Sequence, residues 1–225
     1  MAQSYYPVAL DIARKRCVVV GGGTIATDKV EGLLRAEAQV EVVSPDVGDR
    51  IEELAASGLI QLHRRPYQPS DIDGAFLVIA ATDDLGVNAQ VAADARAARV
   101  LVNAVDDPPN CDFFAVAVVR RGDLQLGIST GGRSPAFARW MREHLDASLP
   151  GEYGELLSVL GEVRDRLKAR GPIPPYERWQ AAITEEVLDR LRRGDRAAAR
   201  SQIDRVVGGT SNGAEQRAGS GRLEG

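Results

Sequence analysis

The sequence is poor in the residues that mark a disulfide scaffold, a metal centre or a base-stacking surface. Cysteine occurs only at Cys17 and Cys111, too few for a disulfide framework, and neither has a companion at metal-ligand spacing. Histidine occurs only at His63 and His144, so no metal site built from protein ligands is expected. Aromatic residues make up 5% of the chain, which counts against a base-stacking nucleic-acid binder. No apolar run approaches the roughly 18 residues that cross a bilayer. Residues 1–16 lack the continuous apolar stretch of a signal peptide. These absences point to a cytoplasmic protein with neither nucleic acid nor membrane as partner.

What remains is ordinary globular material. Apolar residues make up 44% and charged residues 27% of 225, enough for one large domain plus an appendage. The net charge of −4 is uneven. Residues 1–110 hold 10 basic and 16 acidic side chains, and the rest hold 18 and 16, so the second half is where a polyanion would be met, unless these are simply solvated helix faces.

Hydrophobic patterning alternates between strand and helix over the first half. The β-branched run at 16–20 leads through Gly-Gly-Gly into a helix carrying Ile25, Val30, Leu33 and Leu34 on one side, then a strand at 39–43. This is a βαβ unit in size and order. A helix at 51–56, strands at 59–63 and 76–80, an Ala-rich helix at 85–96 and a strand at 100–105 continue the pattern. Such alternation predicts an α/β fold: a Rossmann-type parallel sheet with helices on both faces. After about residue 112 the pattern changes. Runs at 114–119 and 124–129 flank a polar Arg-Arg-Gly-Asp and predict a hairpin. A helix opens at Ser134-Pro135 and closes at Pro150-Gly151, and helices follow at 153–169, 176–193 and 196–206. The expected layout is a dinucleotide-binding domain over 1–112, a hairpin-plus-helix dimerisation region over 113–150, a small helical C-terminal domain over 151–206 and a disordered tail over 207–225. A hairpin outside the main sheet needs cover, and exchange across a homodimer supplies it.

The turn Gly21-Gly22-Gly23-Thr24-Ile25-Ala26 contains G-x-G-x-x-A. Gly21 permits the tight turn, Gly23 lets the backbone approach a pyrophosphate, and Ala26 lets helix and strand pack closely. The helix amino terminus, at Thr24 and Ile25, offers free N–H groups to phosphate. Past the second strand come Ser44, Pro45 and Asp46, candidates for the ribose. An acidic residue there favours NAD, and no arginine directly at this point favours a 2′-phosphate. Ala81 and Thr82, after the fourth strand, are expected to lie against the cofactor, with Asp84 capping the next helix.

Four blocks carry a resemblance: the glycine turn, Ala-Ala-Thr-Asp-Asp at 80–84, Asn-Ala-Val-Asp-Asp-Pro-Pro-Asn-Cys-Asp-Phe-Phe at 103–114, and the segment from Ile-Ser-Thr-Gly-Gly-Arg-Ser-Pro to Gly-Glu-Leu at 128–156. In this order they resemble the precorrin-2 dehydrogenase / sirohydrochlorin ferrochelatase family, including the N-terminal portion of multifunctional siroheme synthases. The resemblance runs from about residue 6 to 157. It implies a homodimer, NAD-dependent oxidation of precorrin-2 to sirohydrochlorin, and in many members insertion of ferrous iron to give siroheme. It places the family's catalytic aspartate at Asp106, and matches the family's Ser-Gly-Gly loop to the stretch holding Thr130, Gly131, Gly132 and Arg133.

The residues themselves allow two readings of each block. Asp106 is either the proton acceptor facing the cofactor's reactive ring, or a positioner of the macrocycle, or else a turn residue ahead of Pro108. The 130–133 loop is either an anion site, with Gly131 and Gly132 offering N–H groups and Arg133 a charge, or a plain turn with a good helix cap. The competing function is a non-catalytic NAD-sensing module, since the same turn serves that role too.

Overall fold

The computed structural model describes residues 5–209 and divides after Ala115 into two compact units. The expected tail over 207–225 therefore lies largely outside the described residues.

The first unit is built on five parallel strands. In chain order these are β1 (Arg16–Val20), β2 (Gln39–Val43), β3 (Ile60–His63), β4 (Leu77–Ala80) and β5 (Leu101–Ala104), arranged β3-β2-β1-β4-β5. Both sheet faces are covered, which is why the strands read as continuous β-branched runs. On one face Cys17, Val19, Val40, Val42, Leu77 and Ile79 meet α1 (Thr24–Arg35) and α2 (Asp49–Ala56) through Ala26, Val30, Leu33, Ile51 and Leu54. On the other, Val18, Val20, Val78, Ala80, Val102 and Ala104 meet α3 (Leu85–Ala98) through Val91, Ala92 and Ala95. Burial pushes the Cys17 thiol up to about 11, so it is an inert core residue.

Two expectations shift within this unit. Ile25, placed by periodicity on the buried side of α1, is 48% exposed. The inward stripe is Ala26, Val30 and Leu33, at i, i+4 and i+7, and this phase turns Ile25 out at the first turn. Single-turn 3-10 segments at Pro69–Ile72 and Pro108–Asn110, each led by proline, also went unforeseen.

The second unit opens with the antiparallel hairpin β6 (Ala117–Arg121) and β7 (Leu124–Ile128). The strand lies three residues later than the apolar run suggested. Arg120 and Arg121 sit in the ladder, and only Gly122-Asp123 form the turn. Arg121 can do so because its guanidinium bonds the Leu149 carbonyl (2.9 Å) and Asp146 (2.8 Å). Helices α4 (Pro135–Ser148), α5 (Glu152–Lys168), α6 (Tyr176–Ala182), α7 (Glu185–Arg192) and α8 (Arg196–Gly208) follow. The single helix expected over 176–193 is two, because the Thr184 side chain accepts from the Val187 N–H and starts a new helix. The core of this unit joins α5, α7 and α8 through Leu156, Val159, Val163, Val187, Leu191, Ala199, Ile203 and Val207. Val207 is thus a buried part of α8. In contrast α4 buries no residue completely, and it carries Phe137 and Trp140 about half exposed. No helix among the described residues is long and apolar enough to cross a membrane.

Candidate dinucleotide site and its strand-end loops

Strand order reverses between β1 and β4, and open α/β sheets bind ligands at such a switch point, beyond the carboxyl ends of the strands. Gly21 leaves β1 at φ +124, which L side chains rarely adopt, and a Cβ there would stand 2.3 Å from the Ala81 carbonyl oxygen. A Cβ on Gly22 would stand 2.1 Å from the Asp46 carbonyl oxygen. The turn is therefore wedged between the end of β4 and the loop after β2. Gly23 is different: it is exposed, and nothing lies within 4 Å of where its Cβ would be. That open face is where a pyrophosphate would approach.

The helix that follows is left uncapped. Gly23 gives α1 no side-chain cap, and its first turn, with Thr24 and Ile25 exposed, holds no acidic residue. Each of its neighbours is occupied. Asp84 caps α3 by accepting from the N–H groups of Gly86 (2.8 Å) and Val87 (3.2 Å), and Asp49 and Glu52 fill the first turn of α2. Of the three helices flanking the sheet, α1 alone offers both free amides and no competing negative charge, which suits a phosphate.

After β2, the Ser44 hydroxyl donates to the Asp46 carbonyl (2.6 Å), and the Gly48 N–H donates to the Gly22 carbonyl (3.0 Å), holding this loop over the glycine turn. Pro45 and Asp46 are exposed, and the Asp46 carboxylate makes no ion pair among the described residues. After β4, Ala81 and Thr82 are half-buried. The Thr82 hydroxyl turns inward, 2.8 Å from Asn88 Oδ1 and 3.0 Å from the Asp84 carbonyl.

After β5 the chain turns sharply at Asp106, which is exposed and has φ +59. Aspartate enters this left-handed region more readily than most residues. Neighbouring Asp107 is engaged, its Oδ2 accepting from Asn110 Nδ2 at 2.6 Å, whereas the Asp106 carboxylate has no partner among the described residues. The loop is anchored beneath. Asn103 donates to the Phe113 carbonyl (2.9 Å), and the Cys111 thiol donates to that of Ala104 (3.0 Å). Burial raises the Cys111 pKa. Asp112 then runs back along β5: its N–H donates to the Val102 carbonyl (2.8 Å), and its carboxylate accepts from the Val102 N–H (3.1 Å).

In the second unit the 129–134 loop closes on itself. Thr130 Oγ1 lies 3.2 Å from the Ser134 carbonyl, and the Arg133 N–H donates to the Thr130 carbonyl (3.1 Å). The Gly131 amide, expected to face a ligand, instead donates to the Ser129 hydroxyl (3.3 Å), and Ser134 caps α4 by accepting from Phe137 (3.1 Å). Gly132 and Arg133 remain exposed, and the Arg133 guanidinium makes no ion pair among the described residues.

With this geometry in hand, comparison with known proteins is direct. Residues 8–117 match the family described as putative NAD(P)-binding, and residues 121–148 match the central region of sirohaem biosynthesis proteins. The siroheme synthase of Chromobacterium violaceum is 35% identical over 223 residues, covering 98% of this chain and 47% of that protein. Over nearly its whole length the chain is similar to part of this siroheme synthase. That of Pseudomonas entomophila is 39% identical over 207 residues, 91% of this chain and 45% of the relative. The chain thus spans about half the length of the siroheme synthases it matches. The solved structure of SirC, a precorrin-2 dehydrogenase, aligns with a TM-score of 0.71 at 29% identity, covering 89% of this chain and 100% of that one. The resemblance carried by the four sequence blocks is therefore borne out, as is the Rossmann-type parallel sheet with its helical C-terminal region.

Sequence reasoning missed three residues that shape these strand-end loops. Gly22 stood as a variable position of the motif, yet its missing side chain admits the β2 loop. Asn88 and Asn103, two of the four buried polar side chains among the described residues, hold the loops after β4 and β5. An asparagine bonded to backbone leaves no pattern in the sequence beyond a polar residue in an apolar stripe.

Proposed function

We propose that the chain is an NAD-dependent dehydrogenase that oxidises precorrin-2 to sirohydrochlorin. One observation carries this reading: an uncapped, acid-free helix amino terminus at the switch point, and, on the same carboxyl edge of the sheet, an unpaired left-handed aspartate at the end of β5. The NAD(P)-binding match and the likeness to SirC support it.

Gly21, Gly23, Thr24 and Ile25 would hold the pyrophosphate, Ser44, Pro45 and Asp46 the adenosine ribose, and Ala81 and Thr82 the nicotinamide half. The absence of an arginine directly after β2 and the free Asp46 carboxylate favour NAD over its 2′-phosphorylated form. Bound NAD supplies the hydride acceptor. The protein supplies orientation and a base: the oxidation also releases a proton, and the Asp106 carboxylate takes it. Precorrin-2 is ringed by carboxylates, and the Arg133 guanidinium with the Gly132 N–H would hold such an arm, Thr130 and Gly131 shaping the loop. If ferrous iron is then inserted as a second substrate, the two pyrrole protons that must leave have the same acceptor.

The chain acts as a cytoplasmic homodimer in this reading. The Phe137–Trp140 stack (5.8 Å between centroids) on α4, a helix with no fully buried residue, supports a second copy as cover.

The test is incubation of the chain with precorrin-2 and NAD, following NADH and the sirohydrochlorin spectrum, with ferrous ion added afterwards to score chelation. Conversion with NADH formation is expected. Binding of NAD without conversion would point to a sensing module instead, and no NAD binding would end the reading.

A further inference from the structure

Asn88 is 2% exposed, the one polar residue on the buried stripe of α3 that otherwise holds Val91, Ala92 and Ala95. An amide in such a stripe is costly unless its hydrogen bonds are made. All of its bonds go to one residue. Asn88 Nδ2 donates to the Thr82 carbonyl (2.9 Å), and Oδ1 accepts from the Thr82 N–H (3.2 Å) and faces the Thr82 hydroxyl (2.8 Å). The side-chain amide pairs with both backbone groups of Thr82 as a neighbouring strand would, beyond the point where β4 has left the sheet.

The last sheet contact before this is the Ala81 N–H to the Val20 carbonyl (2.8 Å). Up to Ala81 the chain is held by β1 and β5; the Thr82 N–H and carbonyl are held by Asn88, and only the Thr82 hydroxyl bonds onward, to Asp84. The glycine turn has its own anchors, the Gly21 N–H donating to the Val43 carbonyl (2.9 Å) and the Gly48 N–H to that of Gly22. Losing Asn88 would thus leave the Thr82 backbone without partners while leaving the pyrophosphate cradle in place. In the order β3-β2-β1-β4-β5, a dinucleotide with its adenosine at β2 and its pyrophosphate after β1 carries its nicotinamide toward β4.

We propose that Asn88 is a positioning residue for the nicotinamide half of the cofactor, acting through the backbone of Thr82; this rests on the dinucleotide reading above. The test is Asn88→Leu, with the same number and branching of heavy atoms but unable to bond Thr82, with NAD and ADP affinities and the melting temperature measured for it and for wild type. ADP probes the adenosine and pyrophosphate sites alone. The variant should bind NAD about tenfold more weakly and ADP within about twofold of wild type. A variant that weakens both nucleotides alike, or neither, would overturn the assignment, leaving Asn88 as a packing residue. Wild type that binds neither nucleotide would overturn the dinucleotide reading itself. If Asn88→Leu does not fold, Asn88→Asp serves. It keeps the acceptor, loses the donor at neutral pH, and should recover NAD affinity on acidification, when its carboxyl proton can donate to the Thr82 carbonyl. A flat pH response relative to wild type would count against the proposal.

Discussion

The charge cluster around Arg16 and the aspartates beyond the carboxyl ends of the strands use charge in opposite ways. At the amino end, Arg16 opens β1 with a two-pronged contact to Glu41 (2.7 and 2.8 Å) and further bonds to the Asp71 and Asp73 carbonyls (2.7 and 2.9 Å). Arg65 bonds the buried Asp71 carboxylate (2.8 Å), Lys15 sits over the Phe76 ring, and His63, from the far end of β3, reaches back to Glu41 (3.3 Å). Within this cluster Arg16, Glu41, Arg65 and Asp71 all have charged partners. At the carboxyl end Asp46, Asp83 and Asp106 are exposed and make no ion pair among the described residues, and α1 starts uncapped. Charges that are paired stabilise the fold. Charges held in place without partners are what a ligand can use.

The sharpest way to break this contrast is Asp106→Asn. If the free carboxylate is the base, turnover of precorrin-2 should fall by about 10²–10⁴-fold with NAD affinity unchanged. Stopped turnover assays beside NAD titration check it, and undiminished turnover would return Asp106 to the role of a turn residue. Next in size is Gly21→Ala. The new methyl group would meet the Ala81 carbonyl at a backbone angle alanine resists, so stability should drop by about 2–3 kcal/mol and NAD binding should disappear. Denaturant melts and titration measure both.

Arg16→Met tests the paired end. It should cost about 1–3 kcal/mol, because Glu41 is left half-buried with only His63 beside it, while NAD affinity stays the same. Acid titration follows from the same cluster. The Arg16 guanidinium holds the Glu41 carboxyl below its ordinary range. Burial pushes Asp71 up, but Arg65 and the Gln68 N–H outweigh it and hold Asp71 low as well. Carboxyls depressed in the folded state bind protons more readily when unfolded. Their contribution is present above the unfolded pKa, at about 4, and is lost as pH falls below it toward the folded values. Thermal melts from pH 6 downward should show this loss, with a shallower acid limb in Arg16→Met. The smallest effect is expected in the second unit, where paired Arg121 contrasts with unpaired Arg133. Arg133→Ala should raise the KM for precorrin-2 several-fold without touching NAD, since one charge-assisted hydrogen bond is lost. An unaltered KM would make the 129–134 loop purely structural.

Much of this was legible in the sequence because parallel strands buried on both faces must be β-branched and apolar, and a turn squeezed on two sides must be glycine. The cap at Asp84 was legible for the same kind of reason: a short acidic side chain just before a helix has an evident partner. The failures share a cause too. Periodicity does not fix the phase of a first turn, so Ile25 was placed inward. Apolar pattern passes unbroken through Ile183-Thr184, where only a threonine followed by two glutamates marks the new helix. Arg121 lies in a strand because its partners come from residues 146 and 149, which no local pattern reveals. Asn88 and Asn103 act on backbone, and a backbone partner has no sequence signature.

The run from Cys111 to Phe113 has one more consequence. By lying along the outer margin of β5, Asp112 occupies backbone groups that would otherwise template pairing with a foreign strand. The guard of that margin and the free aspartate six residues before it belong to a single short loop. Lengthening or shortening that loop would therefore disturb two things at once, the placement of an unpaired carboxylate and the resistance of the sheet to aggregation.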